Sequence, residues 1–222
     1  MKRHQYALLT VALLSATAFS VFGGWAIVTV DDMPEHFVVG QPTELSFIVR
    51  QHAVSPLADL TPRVTLRSGS NSASAAVKAG ARRGHYIATL IAPRAGEWTT
   101  RIESGFGNAE TSMLPTRAIA AGSAAPVISE AERGHRLFYA KGCVTCHVRG
   151  GEGTTYSLKI GPELTGRTFP EEAMAKFLKD PSANPMRTIP TGQMRMPQFE
   201  LKDREIASLV AYINSTRQLS WK

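Results

Sequence analysis

"KGCVTCHVRGG", residues 141–151, holds both cysteines of the chain, Cys143 and Cys146, with His147 directly after the second. The fold around it depends on what two thiols and an imidazole so placed are for. A tetrahedral zinc site wants four nitrogen or sulfur ligands, and this stretch offers three with no second Cys or Cys-His pair elsewhere. A thioredoxin-type dithiol opens a helix after a strand, whereas this pair follows a segment of helical period. A disulfide leaves His147 without a role. Covalent haem attachment uses all three groups: the thiols add across two vinyl groups, and the imidazole is held under the iron as one axial ligand.

The sequence around the motif has a helical grammar. Before it, "SEAERGHRLFYAKG" begins with Ser129 and has Glu132 three residues on, the spacing of a capping box, with Leu137 and Phe138 placed to share a buried face. After it, "PEEAMAKFLKDP" starts at Pro170, has Glu171 and Glu172 in its first turn, puts Ala173, Phe177 and Leu178 on one side and stops at Pro181. A last helix, "DREIASLVAYINSTR", sets Ile206, Leu209, Val210 and Ile213 at i, i+3, i+4 and i+7. Residues 129–222 thus read as an all-α domain.

Upstream the grammar changes. "WAIVTV", "ELSFIVRQ", "RVTLRS", "SAAVKAG", "HYIATLIAP" and "EWTTRIESGF" are short runs of β-branched and aromatic residues separated by Gly, Pro, Asn and Ser, the pattern of an antiparallel sandwich of about seven strands over residues 24–116. With no cysteine pair in it, this domain must hold by burial alone. Residues 117–128, rich in Ala with Gly, Ser and Pro, read as a linker. Residues 1–23 open with Lys2 and Arg3 and continue without formal charge, which fits either a cleaved export signal or a retained membrane anchor. Both readings place the chain in the periplasm or another extracytoplasmic space.

The net charge of +7 at pH 7, on 222 residues, is too mild and too dispersed for a nucleic-acid stripe. Residues 128–222 carry 14 Lys and Arg against 10 Asp and Glu, while residues 24–127 carry 9 against 8. Lys141, Arg149 and Arg195 flank the haem motif and the "MPQF" stretch, which points to docking against redox proteins with an acidic surface.

The second half resembles the single-haem class I cytochrome c family, on "GHRLFYAKGCVTCH", "IGPELTGR" and "MRMPQFELKDREIASLVAYI" in that order. The resemblance implies one covalently attached heme c, with Cys143 and Cys146 as its attachment points and His147 and Met196 as iron ligands. It further implies that the Pro162 carbonyl accepts the Nδ1 hydrogen of His147, and that Gly134 and Tyr212 meet where the first and last helices cross. Met194 and Met186 lie near Met196 but outside "MPQF" and read as filler. A His/Met pair fills both axial sites and raises the potential relative to two nitrogen ligands, so the implied role is a one-electron carrier rather than an enzyme. Bacterial peroxidases of this resemblance carry two haem motifs and this chain has one.

The first half resembles the FixH-like and YtkA-like immunoglobulin-like domains, on "WAIVTVDDMPEHFVVGQPTELSFIVRQH" and "GHYIATLIAPRAGEW". That resemblance brings copper contacts at His52 and Met33 into view; the plainer reading of His52 is a solvated side chain at a strand end. The expected architecture is therefore an immunoglobulin-like sandwich followed by an all-α cytochrome c domain. Three functions stay open: an exported carrier between respiratory or photosynthetic partners, a relay subunit of a larger redox enzyme, and a copper-handling or assembly factor acting through the sandwich.

Overall fold

The computed structural model describes residues 24–153, 160–183 and 194–215. The signal or anchor expected at 1–23 and the methionine at 186 lie outside them. Among the described residues no helix is long and apolar enough to cross a membrane.

The first half is a two-sheet sandwich. One sheet runs β1 (Ala26–Val30), β3 (Pro42–Gln51), β8 (His85–Ile91), β7 (Ala76–Ala79), with β4 (Ser55–Pro56) also on β3. The other runs β2 (Phe37–Val38), β11 (Thr116–Ile119), β9 (Gly96–Glu103), β5 (Arg63–Ser68), β6 (Asn71–Ser74), with β10 (Glu110–Ser112) also on β9. Alternation along each strand supplies the core: Leu45, Phe47 and Val49 of β3, Tyr86, Ala88 and Leu90 of β8, and Trp98 and Ile102 of β9 point inward and are buried. Two aromatic residues also satisfy their polar atoms there: Trp98 Nε1 donates to Arg94 O (2.9 Å), and Tyr86 Oη donates to Leu57 O (2.9 Å). The chain crosses from sheet to sheet at Ala75, whose N–H bonds Val64 O.

Two expectations change. The strands missed by periodicity (β2, β4, β6, β10 and β11) are four residues or fewer, too short to show an alternation. β11 extends into the stretch assigned to the linker: it pairs antiparallel with β9 and parallel with β2, and buries Thr116 and Ala118. The sandwich therefore reaches Ile119.

The second half has α1 (Glu130–Ala140), α2 (Glu171–Lys179) and α3 (Asp203–Asn214). Ser129 Oγ caps α1 by accepting from Glu132 N at 3.2 Å; the Glu132 carboxylate turns to Arg136 (2.8 Å) instead of closing the box. α3 buries Ile206, Leu209, Val210 and Ile213 as the heptad spacing requires. On α2 the buried residues are Met174 and Leu178, four apart on one face, while Ala173 is exposed; the face expected from Ala173 is turned by one residue.

The halves share a seam. All five residues of β1 are buried, because Ala26, Val28 and Val30 face the sandwich core while Ile27 and Thr29, on the opposite face, are covered by the helical half. Gly142, with φ +77°, lies against β1: a Cβ there would come 2.5 Å from Ile27 Cγ2 and 3.0 Å from Val28 O. Lys141 Nζ reaches across to Asp31 O (2.7 Å) and pairs with Glu205 Oε1 (2.7 Å), and Arg133 Nε donates to Glu35 Oε1 (2.8 Å).

Candidate functional site

α1 ends where its left-handed glycine requires it to. Lys141 N–H bonds Leu137 O, Gly142 N–H bonds Tyr139 O, and the positive φ of Gly142 turns the chain out of the helix. Residues Cys143–Thr145 then make a single 3-10 turn, closed by Cys146 N to Cys143 O (3.1 Å) and followed by His147 N to Cys143 O (3.0 Å). Val144, between the two cysteines, is buried, while Cys143 and Cys146 are half-buried. Both cysteines are free thiols. Burial pushes the Cys143 thiol up to about 12 and that of Cys146 upward.

His147 is held by its other nitrogen. Its Nδ1 donates to Pro162 O at 2.9 Å, which leaves Nε2 as the nitrogen able to take a metal. Burial pushes the imidazole below its ordinary range, and the Pro162 bond acts in the opposite direction. The Pro162 loop is fixed to the motif by Gly161 N to Cys146 O (3.0 Å) and Leu164 N to Val148 O (2.8 Å). Gly161 packs so closely that a Cβ would come 2.3 Å from His147 Cε1; only glycine lets the loop lie against the ring.

Met196 is half-buried and packs against the helical core, in company with Tyr139, Cys143, Phe169 and Phe177. Met194, two residues earlier, is 44% exposed. The two thus differ in exposure. Cys143 and Met196 pack against the same helical core, and two thiols, an imidazole and a thioether are a donor set whose chemistry fits a haem. The helix crossing is equally tight: a Cβ on Gly134 would come 1.9 Å from Ser208 O and 2.7 Å from Tyr212 Cβ.

Two of the charges assigned to docking are not on the surface. Lys141 is buried in the seam, and Arg149 is buried with Nη2 on Ser215 O (2.6 Å) and its guanidinium 4.1 Å from the Tyr212 ring centroid. Of the three, Arg195 alone is exposed. His52 sits in the turn after β3 with positive φ, its ring edge-on to Trp25, and Met33 packs on the sandwich core. Among the described residues no group of three or more His, Cys, Asp or Glu side chains could hold a metal ion.

A buried polar cluster went unread in the sequence. His135 of α1, Glu152 of the loop after His147, and Tyr212 of α3 are bonded together, and Arg149 covers Tyr212. The available signal was slight: His135 and Tyr139, four apart, share a helix face.

The family model for cytochrome c matches residues 131–217. The match supports a haem-bearing electron-transfer domain and, with it, covalently bound heme c. No curated protein matches the chain. Among solved structures it is similar to the Lin-41 filamin domain, at 16% identity over 44% of this chain and 93% of that one, with a TM-score of 0.32. It is also similar to domains 4 and 5 of the S-layer protein SbsC, at 20% identity over 42% of this chain, with a TM-score of 0.31; this chain spans about half, 51%, of that structure.

Proposed function

We propose that this protein carries single electrons in an extracytoplasmic compartment through one heme c, attached at Cys143 and Cys146 and ligated by His147 and Met196. The observation that carries the reading is the His147 Nδ1 bond to Pro162 O in the segment that also holds both cysteines, since it leaves Nε2 free to take a metal. When bound, the haem would supply a one-electron couple. The chain does the rest. Cys143 and Cys146 would hold the haem through thioethers, His147 and Met196 would ligate its iron, and Pro162 fixes the imidazole tautomer and orientation.

Partner recognition by acidic proteins is proposed on a smaller set of charges than the sequence suggested, with Arg195 beside Met196 and Arg167 beyond Pro162 both exposed. The sandwich is read as a FixH-like or YtkA-like domain that is built onto the carrier along β1. A relay role inside a larger enzyme shares this site and differs only in the partners.

The distal ligand is the sharpest test. Met196→Ala should open the sixth position, lower the reduction potential, abolish the sulfur-to-iron charge-transfer band of the oxidised protein and let carbon monoxide bind the reduced form. Met194→Ala should change none of these, because its side chain already faces solvent. The reverse pattern would make Met194 the ligand, and no change in either variant would remove the His/Met assignment.

A further inference from the structure

Two acidic residues, Asp31 and Asp32, follow β1, and both reach the helical half. Asp31 is fixed within the sandwich, its N–H on Ser46 O (2.8 Å) and its Oδ2 accepting from Ser46 Oγ (2.6 Å), while its carbonyl accepts from Lys141 Nζ at 2.7 Å. Lys141 is buried two residues before Cys143, and the same Nζ pairs with Glu205 Oε1 at 2.7 Å. Glu205 in turn closes the start of α3, its Oε2 accepting from Lys202 N at 2.9 Å. Asp32 pairs with Lys202 Nζ, and Arg82, from the connection between β7 and β8, lies 3.7 Å from Glu200. All three lines of contact end on residues 200–205, the stretch that leads out of the Met196 segment.

That stretch needs holding. Phe199 and Leu201 are buried in the helical core on either side of Glu200, and Glu200 itself has φ +53°, a left-handed conformation that a residue with a side chain keeps only where its surroundings dictate it. The contacts are unequal. Those of Arg82 and Lys202 are exposed, and such a pair contributes little alone. Lys141 and Glu205 keep only 4% and 12% of their side chains exposed, so loss of the ammonium would strand a carboxylate in the interior. Gly142, between Lys141 and Cys143, lies against Ile27 and Val28 O, which fixes the start of the haem motif to the same strand. The Glu35 pair with Arg133 joins the halves through α1 without touching either ligand-bearing segment, so joining alone does not call for the others.

Resting on the carrier reading above, we propose that the sandwich positions the sixth ligand: Asp31, Asp32 and Arg82, with Lys141 and Glu205 as the buried link, hold the Met196 segment against the haem motif. None of these five is a ligand. Each is a positioning residue that acts through the backbone carrying Met196 or Cys143. A neutral thioether is a weak ligand, and how much of the time it occupies an iron depends on how firmly its segment is held. The first half of the chain thereby has a task inside electron transfer, and releasing its grip should open the sixth position while the thioethers stay intact.

The test is the rate at which carbon monoxide binds the reduced, haem-loaded full chain far from its denaturation midpoint, since carbon monoxide enters only when Met196 leaves. Asp32→Asn combined with Arg82→Gln changes two exposed side chains of the sandwich and should speed binding several-fold. Lys141→Met should speed it by at least about tenfold, and Lys141→Arg should restore most of the wild-type rate. The covalent haem stain should persist in all of them. Amide hydrogen exchange over residues 196–205 should quicken in the double variant while that of α1 stays as in the wild type. Arg63→Gln, which breaks an exposed pair with Glu103 on the other sheet, should leave the rate unchanged. Wild-type binding in either the double variant or Lys141→Met, or an equal acceleration by Arg63→Gln, overturns the proposal and leaves the carrier reading standing; absence of covalent haem from the wild type overturns both. If Lys141→Met does not fold, the double variant decides.

Discussion

Gly134 lies where α1 crosses α3, and the space a methyl group would need there is already filled by Ser208 O at 1.9 Å and Tyr212 Cβ at 2.7 Å. The obstacle is helix backbone, which cannot rotate aside as a side-chain tip can. Gly134→Ala should therefore push the helices apart and loosen the Tyr212 stack on His135. Overpacking of a well-packed interior costs about 1–3 kcal/mol, and contact with backbone puts this case at the upper end. A denaturation midpoint equal to that of the wild type would show that the crossing is not tight. Gly161 and Gly142 work by the same logic, one against the His147 ring and the other against Ile27. At this scale the sequence was informative about chemistry and poor about contact. The spacing of Cys143, Cys146 and His147 suggests a role, whereas nothing in "KGC" tells that Lys141 is buried in a seam rather than offered to a partner.

Elements were legible in proportion to their length and to how much of their pattern was local. α1 announces itself through Ser129, and the cap is present, with Ser129 Oγ accepting from Glu132 N at 3.2 Å. Ser129→Ala should lower stability by about 0.5–2 kcal/mol, the ordinary cost of losing such a cap, read as a shift in denaturant midpoint at unchanged slope. No shift would mean that solvent replaces the bond without loss. β11 was not legible. "TRAI" is too short to show an alternation and runs straight into the alanine-rich linker, and it becomes a strand through its pairing with β9 and β2. The second helix falls between these cases: its existence was evident from Pro170 and the acidic first turn, but its buried face was set by Met174 and Leu178 packing toward α3, a contact that local periodicity does not contain. The His135–Glu152–Tyr212 cluster was invisible for the same reason, since it joins three segments that only the fold brings together.

The two halves are joined by more than residues 120–128. β1 is an edge strand, and an edge with Ile27 and Thr29 on its outer face would be a liability if left bare; here the helical half covers that face. The polar frame around this contact is charged, with Glu35 between Arg133 (2.8 Å) and Arg204 (3.5 Å), which makes the seam sensitive to pH. The Arg133 guanidinium, through its hydrogen bond, holds the Glu35 carboxyl below the usual carboxylate range. A carboxyl whose folded value is depressed stabilises the folded state fully above its unfolded value, here 4.5, and that contribution is lost as pH falls through the lower, folded one. Because the Glu35 side chain is 38% exposed, solvent screens the pair and the effect is modest. Glu35→Gln should accordingly lower the thermal midpoint at neutral pH, and the gap between variant and wild type should close on acidification below about pH 4.5, the unfolded value. Added salt at neutral pH should narrow the gap as well, since an exposed pair is screened over about 8 Å at physiological ionic strength. A gap that widens in acid has the wrong sign for this pair, and a gap independent of both pH and salt would mean that Ile27 and Gly142 hold the seam by packing alone, with the charges merely lying along its rim.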